Sequence, residues 1–223
     1  MARPTLVIAT RNQGKIREIA DLLADLGVTI KTLADYPDCP EVVEDGDTFA
    51  ANATKKAVAV ARYTGLPALA DDSGLEVDAL GGRPGVHSAR YSAERTAPAR
   101  PSDQENYQKL LEELAGVPEP QRTARFVCCL VVAFPDGRTI MARGTCEGLI
   151  HHQPQGEGGF GYDPVFWLPE YQATMAEVGL AVKNRLSHRA QALRQLHDIL
   201  VDLLSQDPSL FQPAETRDVA QPG

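Results

Sequence analysis

No apolar run in this 223-residue chain approaches the ~20 residues that a membrane-crossing helix needs. The opening residues, MARPTLVIAT, carry one arginine and a short apolar stretch without a small-residue cleavage site, so no secretory leader is expected. Basic charge is scarce. Lys and Arg number 22 against 30 Asp and Glu, a net charge of −8, which argues against a general nucleic-acid-binding surface. A phosphorylated small molecule is still compatible, because it needs only local cations, or a metal ion held by acids. Cysteine is limited to Cys39, Cys128, Cys129 and Cys146, with no C-x-x-C pair. Cys128 and Cys129 adjoin in an apolar run of strand character, so their side chains point to opposite faces. Reduced, buried thiols in a cytoplasmic protein are expected. There is no internal repeat, and the G-x-x-x-x-G-K-[ST] phosphate loop is missing.

What is there suits a folded enzyme-sized core, with 43% hydrophobic and 23% charged residues. TLVIAT at 5–10 reads as a buried strand. The next segment, 12–27, places Ile16, Ile19, Ala20, Leu23 and Leu26 at helical spacing and stops at Gly27. Residues 28–33 read as a second strand, 35–47 as an acidic, proline-bearing loop and 48–65 as an alanine-rich helix. LPALADD at 66–72 is the next strand, followed by a turn at Ser73-Gly74. Residues 102–116 form a helix capped by Ser102 or Asp103, 123–150 a hairpin turning at Pro135-Asp136-Gly137, and 187–205 a final helix with Ser187 as cap. This order implies an α/β fold with a mixed sheet and flanking helices rather than a pure dinucleotide-binding domain. One domain over 1–205 is expected, then a disordered tail at 206–223, with a second mobile segment at 92–103.

Five stretches carry candidate chemistry. ATRNQGKIRE (9–18) puts Thr10, Asn12 and Lys15 at a strand-to-helix junction, either as a phosphate cradle or as an ordinary helix cap. VEDGDTFAANATKKA (43–57) sets Glu44 before a glycine turn, with Asn52 and Lys56 on one helical face; the plainer reading is an acidic loop and a surface lysine. ALADDSGLEVD (68–78) ends an apolar run on Asp71 and Asp72. A buried carboxylate pair is costly without a cation, and Mg²⁺ takes oxygen ligands while leaving room for a phosphate. GGFGYDPVFW (158–167) could present Phe160 to a base and Asp163 as an acceptor, or simply plug the core. KNRLSHRAQAL (183–193) sets His188 and Arg189 in the first turn of a helix, where cations oppose the dipole unless an anion or acceptor is near.

In this order the motifs T-x-N-x-G-K-x-x-E, D-D-S-G-L-x-V-D-x-L-x-G-x-P-G-x-x-S-A-R-Y, F-G-Y-D-P-x-F and S-H-R-x-x-A resemble one family over about residues 6–204. That family is the inosine triphosphate pyrophosphatases, or XTP/dITP diphosphatases, which act on non-canonical purine nucleotides. The resemblance implies a two-lobed inosine-triphosphate-pyrophosphatase-like α/β fold with a long mixed sheet, and the nucleotide between the lobes. It further implies a homodimer and Mg²⁺-dependent hydrolysis of ITP, dITP or XTP to the monophosphate and pyrophosphate. It assigns Thr10, Asn12, Lys15 and Lys56 to the triphosphate, Ser73 to a phosphate, and Glu44 and Asp72 to Mg²⁺. Asp72 would also accept the proton, with Asp71 as the alternative. Phe160, Gly161, Tyr162, Asp163, Lys183, His188 and Arg189 would form the base and sugar site. Two residues depart from the family's habit: Arg11 stands where a small residue is common, and Ala51 where an acid is frequent.

Two other readings compete. One is a pyrophosphatase of the related septum-inhibitor-type fold acting on modified pyrimidine nucleotides, disfavoured by F-G-Y-D-P and S-H-R. The other is a nucleotide sensor without turnover, disfavoured by Lys15, Asp72 and Lys183.

Overall fold

The computed structural model describes residues 3–97 and 99–213. Its strands are β1 (Thr5–Ile8), β2 (Thr29–Thr32), β3 (Ala68–Val77), β4 (Thr123–Ala133), β5 (Thr139–Ile150), β6 (Phe166–Leu168) and β7 (Ala173–Thr174). They make one sheet in the order β2-β1-β3-β4-β5-β6-β7. β1 runs parallel to both β2 and β3, whereas β5–β6 and β6–β7 are antiparallel, so the sheet is mixed, as the element order implies. The helices are α1 (Gln13–Leu22), α2 (Phe49–Thr64), α3 (Ala93–Thr96), α4 (Asp103–Glu113), α5 (Gly179–Leu186) and α6 (His188–Gln206). Among the described residues no helix is long and apolar enough to cross a membrane.

The chain divides into two compact units. One gathers the chain up to Asp72, Cys129–Arg143 and the chain from Ala192; the other gathers Ser73–Cys128 and Gly144–Gln191. The first is built on β1 (Leu6, Val7 and Ile8 fully buried), the alanine face of α2 (Ala53, Ala57, Ala61) and the inner face of α6 (Leu193, Leu196, Leu200). Alanine at 3–4-residue spacing gives α2 a thin apolar stripe. The helix is capped by Thr48, whose hydroxyl accepts from the Ala51 amide at 3.1 Å, and it stops at Gly65, where φ is +66°.

The second unit packs Leu75, Val77, Leu110, Leu114, Phe126, Ile150, Val165 and Phe166 into one cluster. Inside it Arg122, 2% exposed, donates to three carbonyls: Ile150 O at 2.7 Å, Leu114 O at 2.8 Å and His151 O at 3.1 Å. A guanidinium presents its donors in a fixed fork, and here the fork ties α4 to β5. All four cysteines are buried thiols, and burial pushes the Cys146 thiol up to about 11.

Several sequence expectations need correction. β3 does not end at Asp72; it continues to Val77, and Ser73-Gly74 lie inside it rather than in a turn. Burial of Leu75 and Val77, with the Leu75 amide donating to Ser88 Oγ at 2.9 Å, draws the strand onward. The first helix stops at Leu22, and Ala24–Leu26 form a separate 3-10 turn before Gly27 at φ +65°. Lys183 belongs to its own helix, α5. The start of 92–103 is tied down rather than loose: Ser92 is buried, and both its amide and its hydroxyl donate to Asn106 Oδ1, at 2.9 and 3.0 Å. Order also runs past the expected boundary at 205. Pro208–Phe211 form a 3-10 turn in which Phe211 is fully buried, its ring edge-on to Phe134 at 5.6 Å. Two large apolar residues, Leu210 and Phe211, supply the burial that a polar composition conceals. The rest of the expected tail, 214–223, lies outside the described residues.

Phe211→Ala should therefore lower stability by about 3–5 kcal/mol, the usual cost of emptying a fully buried phenylalanine site. Urea unfolding would show it as a lower midpoint. An unchanged midpoint would mean that the segment after α6 does not belong to the core.

Candidate functional site

In the first unit, β1 delivers the chain to the start of α1. Asn12 caps that helix, its Oδ1 accepting from the amides of Gly14 at 2.9 Å and Lys15 at 3.2 Å. Thr10 Oγ1 accepts from the Asn12 amide at 3.2 Å. The cap and the cradle are thus the same residues: an N-cap satisfies two amides and leaves the positive end of the helix facing outward. Lys15 is not simply solvated. Its Nζ lies 2.7 Å from Asp71 Oδ2, and that carboxylate is almost wholly buried.

Successive residues of a strand project to opposite faces. Asp71 turns to Lys15, whereas Asp72 turns to α2, where Asn52 Nδ2 donates to its Oδ2 at 3.0 Å. Asn52 is 1% exposed and fills both roles of its amide, since its Oδ1 accepts from the Gly46 amide at 2.8 Å. One side chain thereby fixes the acidic loop and the Asp72 carboxylate together. Gly46 has little alternative, for a Cβ there would lie 2.9 Å from Asn52 Oδ1. Lys56, one helical turn beyond Asn52, donates to the Asp71 carbonyl at 2.6 Å and sits 3.2 Å from Glu44 Oε1. Burial raises the Asp72 pKa above the ordinary carboxylate value, the Lys56 charge and the Asn52 hydrogen bond oppose this, and the Glu44 charge adds to the rise.

Among the described residues no group of three or more His, Cys, Asp and Glu side chains could hold a metal ion. Among the described residues a closed all-protein cage is thus absent. Two interacting carboxylates, Glu44 and Asp72, with two lysines beside them, are the donor set suited to an ion such as Mg²⁺, which takes one or two carboxylates and completes its shell with water and phosphate oxygens.

In the second unit, the loop before Phe166 is held by carboxylates. Asp163, 4% exposed, accepts from the Phe160 amide at 2.9 Å and from Lys183 Nζ. Burial raises its pKa, and the neighbouring Lys183 ammonium opposes the rise. Gly159 has φ +79°, and a Cβ on it would lie 2.1 Å from Asp163 Oδ2, so only glycine fits. Phe160 is 58% exposed, with the Lys183 ammonium 4.4 Å from its ring centre. Tyr162 faces the other way: it is buried and its hydroxyl donates to the Ser88 carbonyl at 2.8 Å. His188 stacks on Phe126 with ring centres 5.0 Å apart, and Arg189, buried, donates from Nη2 to Ser73 Oγ at 3.4 Å.

The structure therefore groups Thr10, Asn12, Lys15, Glu44, Lys56 and Asp72 in one unit, and Phe160, Gly161, Asp163 and Lys183 in the other, where Ser73, His188 and Arg189 also lie. Tyr162 anchors the loop by its hydroxyl rather than offering it outward. Asn52 was seen in the sequence as a face-mate of Lys56 but not as a site residue; its signal is an asparagine inside an alanine-rich helix, costly there unless its amide is used. Asp71 as the partner of Lys15 had no signal beyond strand alternation. Arg11, one of the unusual positions, reaches Cys39 O at 3.5 Å, and Ala51 sits over the Thr48 cap.

A family model, the Ham1 family, matches residues 6–199. A dITP/XTP pyrophosphatase of Geobacillus kaustophilus is 57% identical over 193 residues, 86% of this chain and 92% of that protein. One of Geobacter sulfurreducens is 54% identical, covering 87% and 96%. Among solved structures, a HAM1 protein from Coxiella burnetii aligns with a TM-score of 0.82 at 40% identity, over 89% of this chain and 98% of that one. The Staphylococcus aureus Ham1 protein aligns with a TM-score of 0.80 at 40% identity, over 88% and 97%. This chain belongs to the Ham1 family.

Asn52→Ala removes the donor to a buried carboxylate and the acceptor for the Gly46 amide, so it should cost about 1–3 kcal/mol. Chemical denaturation would read the loss. A variant as stable as the wild type would mean that water replaces the amide without penalty and that the Gly46 loop is not held through it.

Proposed function

We propose that this chain hydrolyses purine nucleoside triphosphates bearing a 6-oxo base (ITP, dITP and XTP) to the monophosphate and pyrophosphate, removing them from the nucleotide pool. The observation that carries the reading is the buried Asp72, oriented by Asn52 and flanked by Lys56 and Glu44. The high identity to proteins named dITP/XTP pyrophosphatase over nearly their whole length supports it.

Phosphoryl chemistry of this kind depends on positioning and charge neutralisation more than on covalent catalysis. Lys15, Lys56 and the outward end of α1 supply positive potential for the triphosphate, with the Asn12 amide Nδ2 and the Thr10 hydroxyl as further contacts. Ser73 is a further candidate contact for a phosphate. Asp72 takes the proton of the attacking water, the bond between the α- and β-phosphates breaks, and pyrophosphate leaves. Asp71 is the lesser candidate for that role, because its carboxylate is already paired with Lys15. Glu44 and Asp72 are the residues that would hold Mg²⁺, and the ion when bound acidifies water and neutralises phosphate charge.

Phe160 offers an exposed ring to the base. Lys183, His188 and Arg189 provide donors that suit a 6-oxo acceptor and leave a 6-amino group mismatched. A homodimer and a cytoplasmic location belong to the same reading, the latter supported by four buried thiols. No observation favours the pyrimidine-nucleotide or the sensor alternative over it.

Pyrophosphate release from ITP, XTP, dITP, ATP and GTP tests the proposal directly. Release from the first three, abolished by chelation and restored by Mg²⁺, is expected, and Asp72→Asn should slow it by at least ~10²-fold. Binding of ITP without release would make the chain a sensor. Equal release from ATP would overturn the base-site assignment, and near-normal turnover by Asp72→Asn would remove Asp72 from its role.

A further inference from the structure

Phe160 offers its ring to the base in the reading above, yet the residue is more than half exposed, with the Lys183 ammonium 4.4 Å from the ring centre. Side-chain packing therefore does not fix its position, and its backbone must. That backbone is weak by composition: Phe160 lies between Gly159 at φ +79° and Gly161 at φ +63°, and glycine gives up the most freedom on being ordered. On the N-terminal side the Phe160 amide is bound by Asp163. On the C-terminal side the Gly161 amide donates to Asp103 Oδ2 at 2.6 Å, a contact that spans 58 residues of sequence. Asp103 is the first residue of α4 and lies in its first turn, where the helix dipole favours a carboxylate. The helix is capped separately. Ser102 Oγ accepts from the Glu105 amide at 3.2 Å and Glu105 Oε2 accepts from the Ser102 amide at 2.7 Å, so Asp103 is not needed as the cap. Asp103 and Asp163 are close enough for the charge of the first to raise the pKa of the second, so two acids share one short loop despite their repulsion.

We infer that Asp103 is a positioning residue for nucleotide recognition, clamping the loop that carries Phe160 in the conformation that presents its ring to the base. The inference rests on the functional reading given above. A carboxylate accepting from an amide makes a stronger bond than a neutral acceptor. With the clamp in place the loop is ordered before the nucleotide arrives, and the binding step is spared that ordering. Loss of the clamp should weaken ground-state and transition-state binding alike, raising KM and leaving kcat in place.

The test compares Asp103→Ala, Asp103→Asn and Ser102→Ala with the wild type, by steady-state kinetics on ITP and by amide hydrogen exchange without ligand. Asp103→Ala should raise KM about tenfold with kcat within about twofold, the scale of one charge-assisted hydrogen bond. Exchange should quicken in the peptide covering 158–163 and not in β1 or α2. Asp103→Asn, which keeps an acceptor oxygen, should recover most of both effects. Ser102→Ala breaks the cap of α4 without touching Gly161, and should lower thermal stability while keeping the wild-type KM. Wild-type KM and wild-type exchange in Asp103→Ala would overturn the clamp, as would a KM rise that Ser102→Ala reproduces. If the wild type itself releases no pyrophosphate from ITP, the functional reading fails, and the exchange comparison still decides whether Asp103 holds the loop.

Discussion

The alternation of side chains along a strand is the constraint on which the charged cluster of the first unit depends. Asp71 and Asp72 are adjacent, and in a turn or helix they would crowd each other. Inside β3 they diverge, one to Lys15 at the start of α1 and the other to Asn52 in α2. The sheet thus separates like charges by geometry, and each carboxylate finds a different donor. Lys56 then joins the two sides through the backbone, binding the Asp71 carbonyl while facing Glu44.

The Phe160 loop of the second unit obeys a different rule. Tyr162 packs into the core, and the exposed Phe160 beside it is set by two acceptors, Asp163 for its own amide and Asp103 for the Gly161 amide. Glycine at 159 is required by space as well as by torsion, because the Asp163 carboxylate occupies the position a Cβ would take. An exposed aromatic side chain is thus held by hydrogen bonds to its backbone.

Much of this was legible from residue order. The strand at the start, the capped helix after it, the alanine-rich helix closed by Gly65 and the long hairpin each carry their own local signal, and the structure has them. What escaped were features set by contacts distant in sequence. β3 runs past its carboxylates because Leu75 and Val77 are buried in a core assembled from residues up to a hundred positions away. The order of 92–97 depends on Asn106, and that of 208–211 on Phe134; neither partner can be read from the composition of the segment it holds. Asn52 was visible as a helix residue, but its bidentate use of one amide appears only once the Gly46 loop and β3 flank it.

Burial of all four thiols has a consequence of another kind. A thiolate is the reactive form of cysteine, and a buried group such as Cys146, with its pKa pushed up to about 11, is almost never ionised at neutral pH. Peroxide and alkylating reagents thus have little to attack while the chain is folded. Two of these thiols lie in β4 and one in β5, the strands that pass through both compact units. The rate at which such a reagent modifies them reports how often the central strands come apart, an intrinsic clock for opening that requires no engineered label.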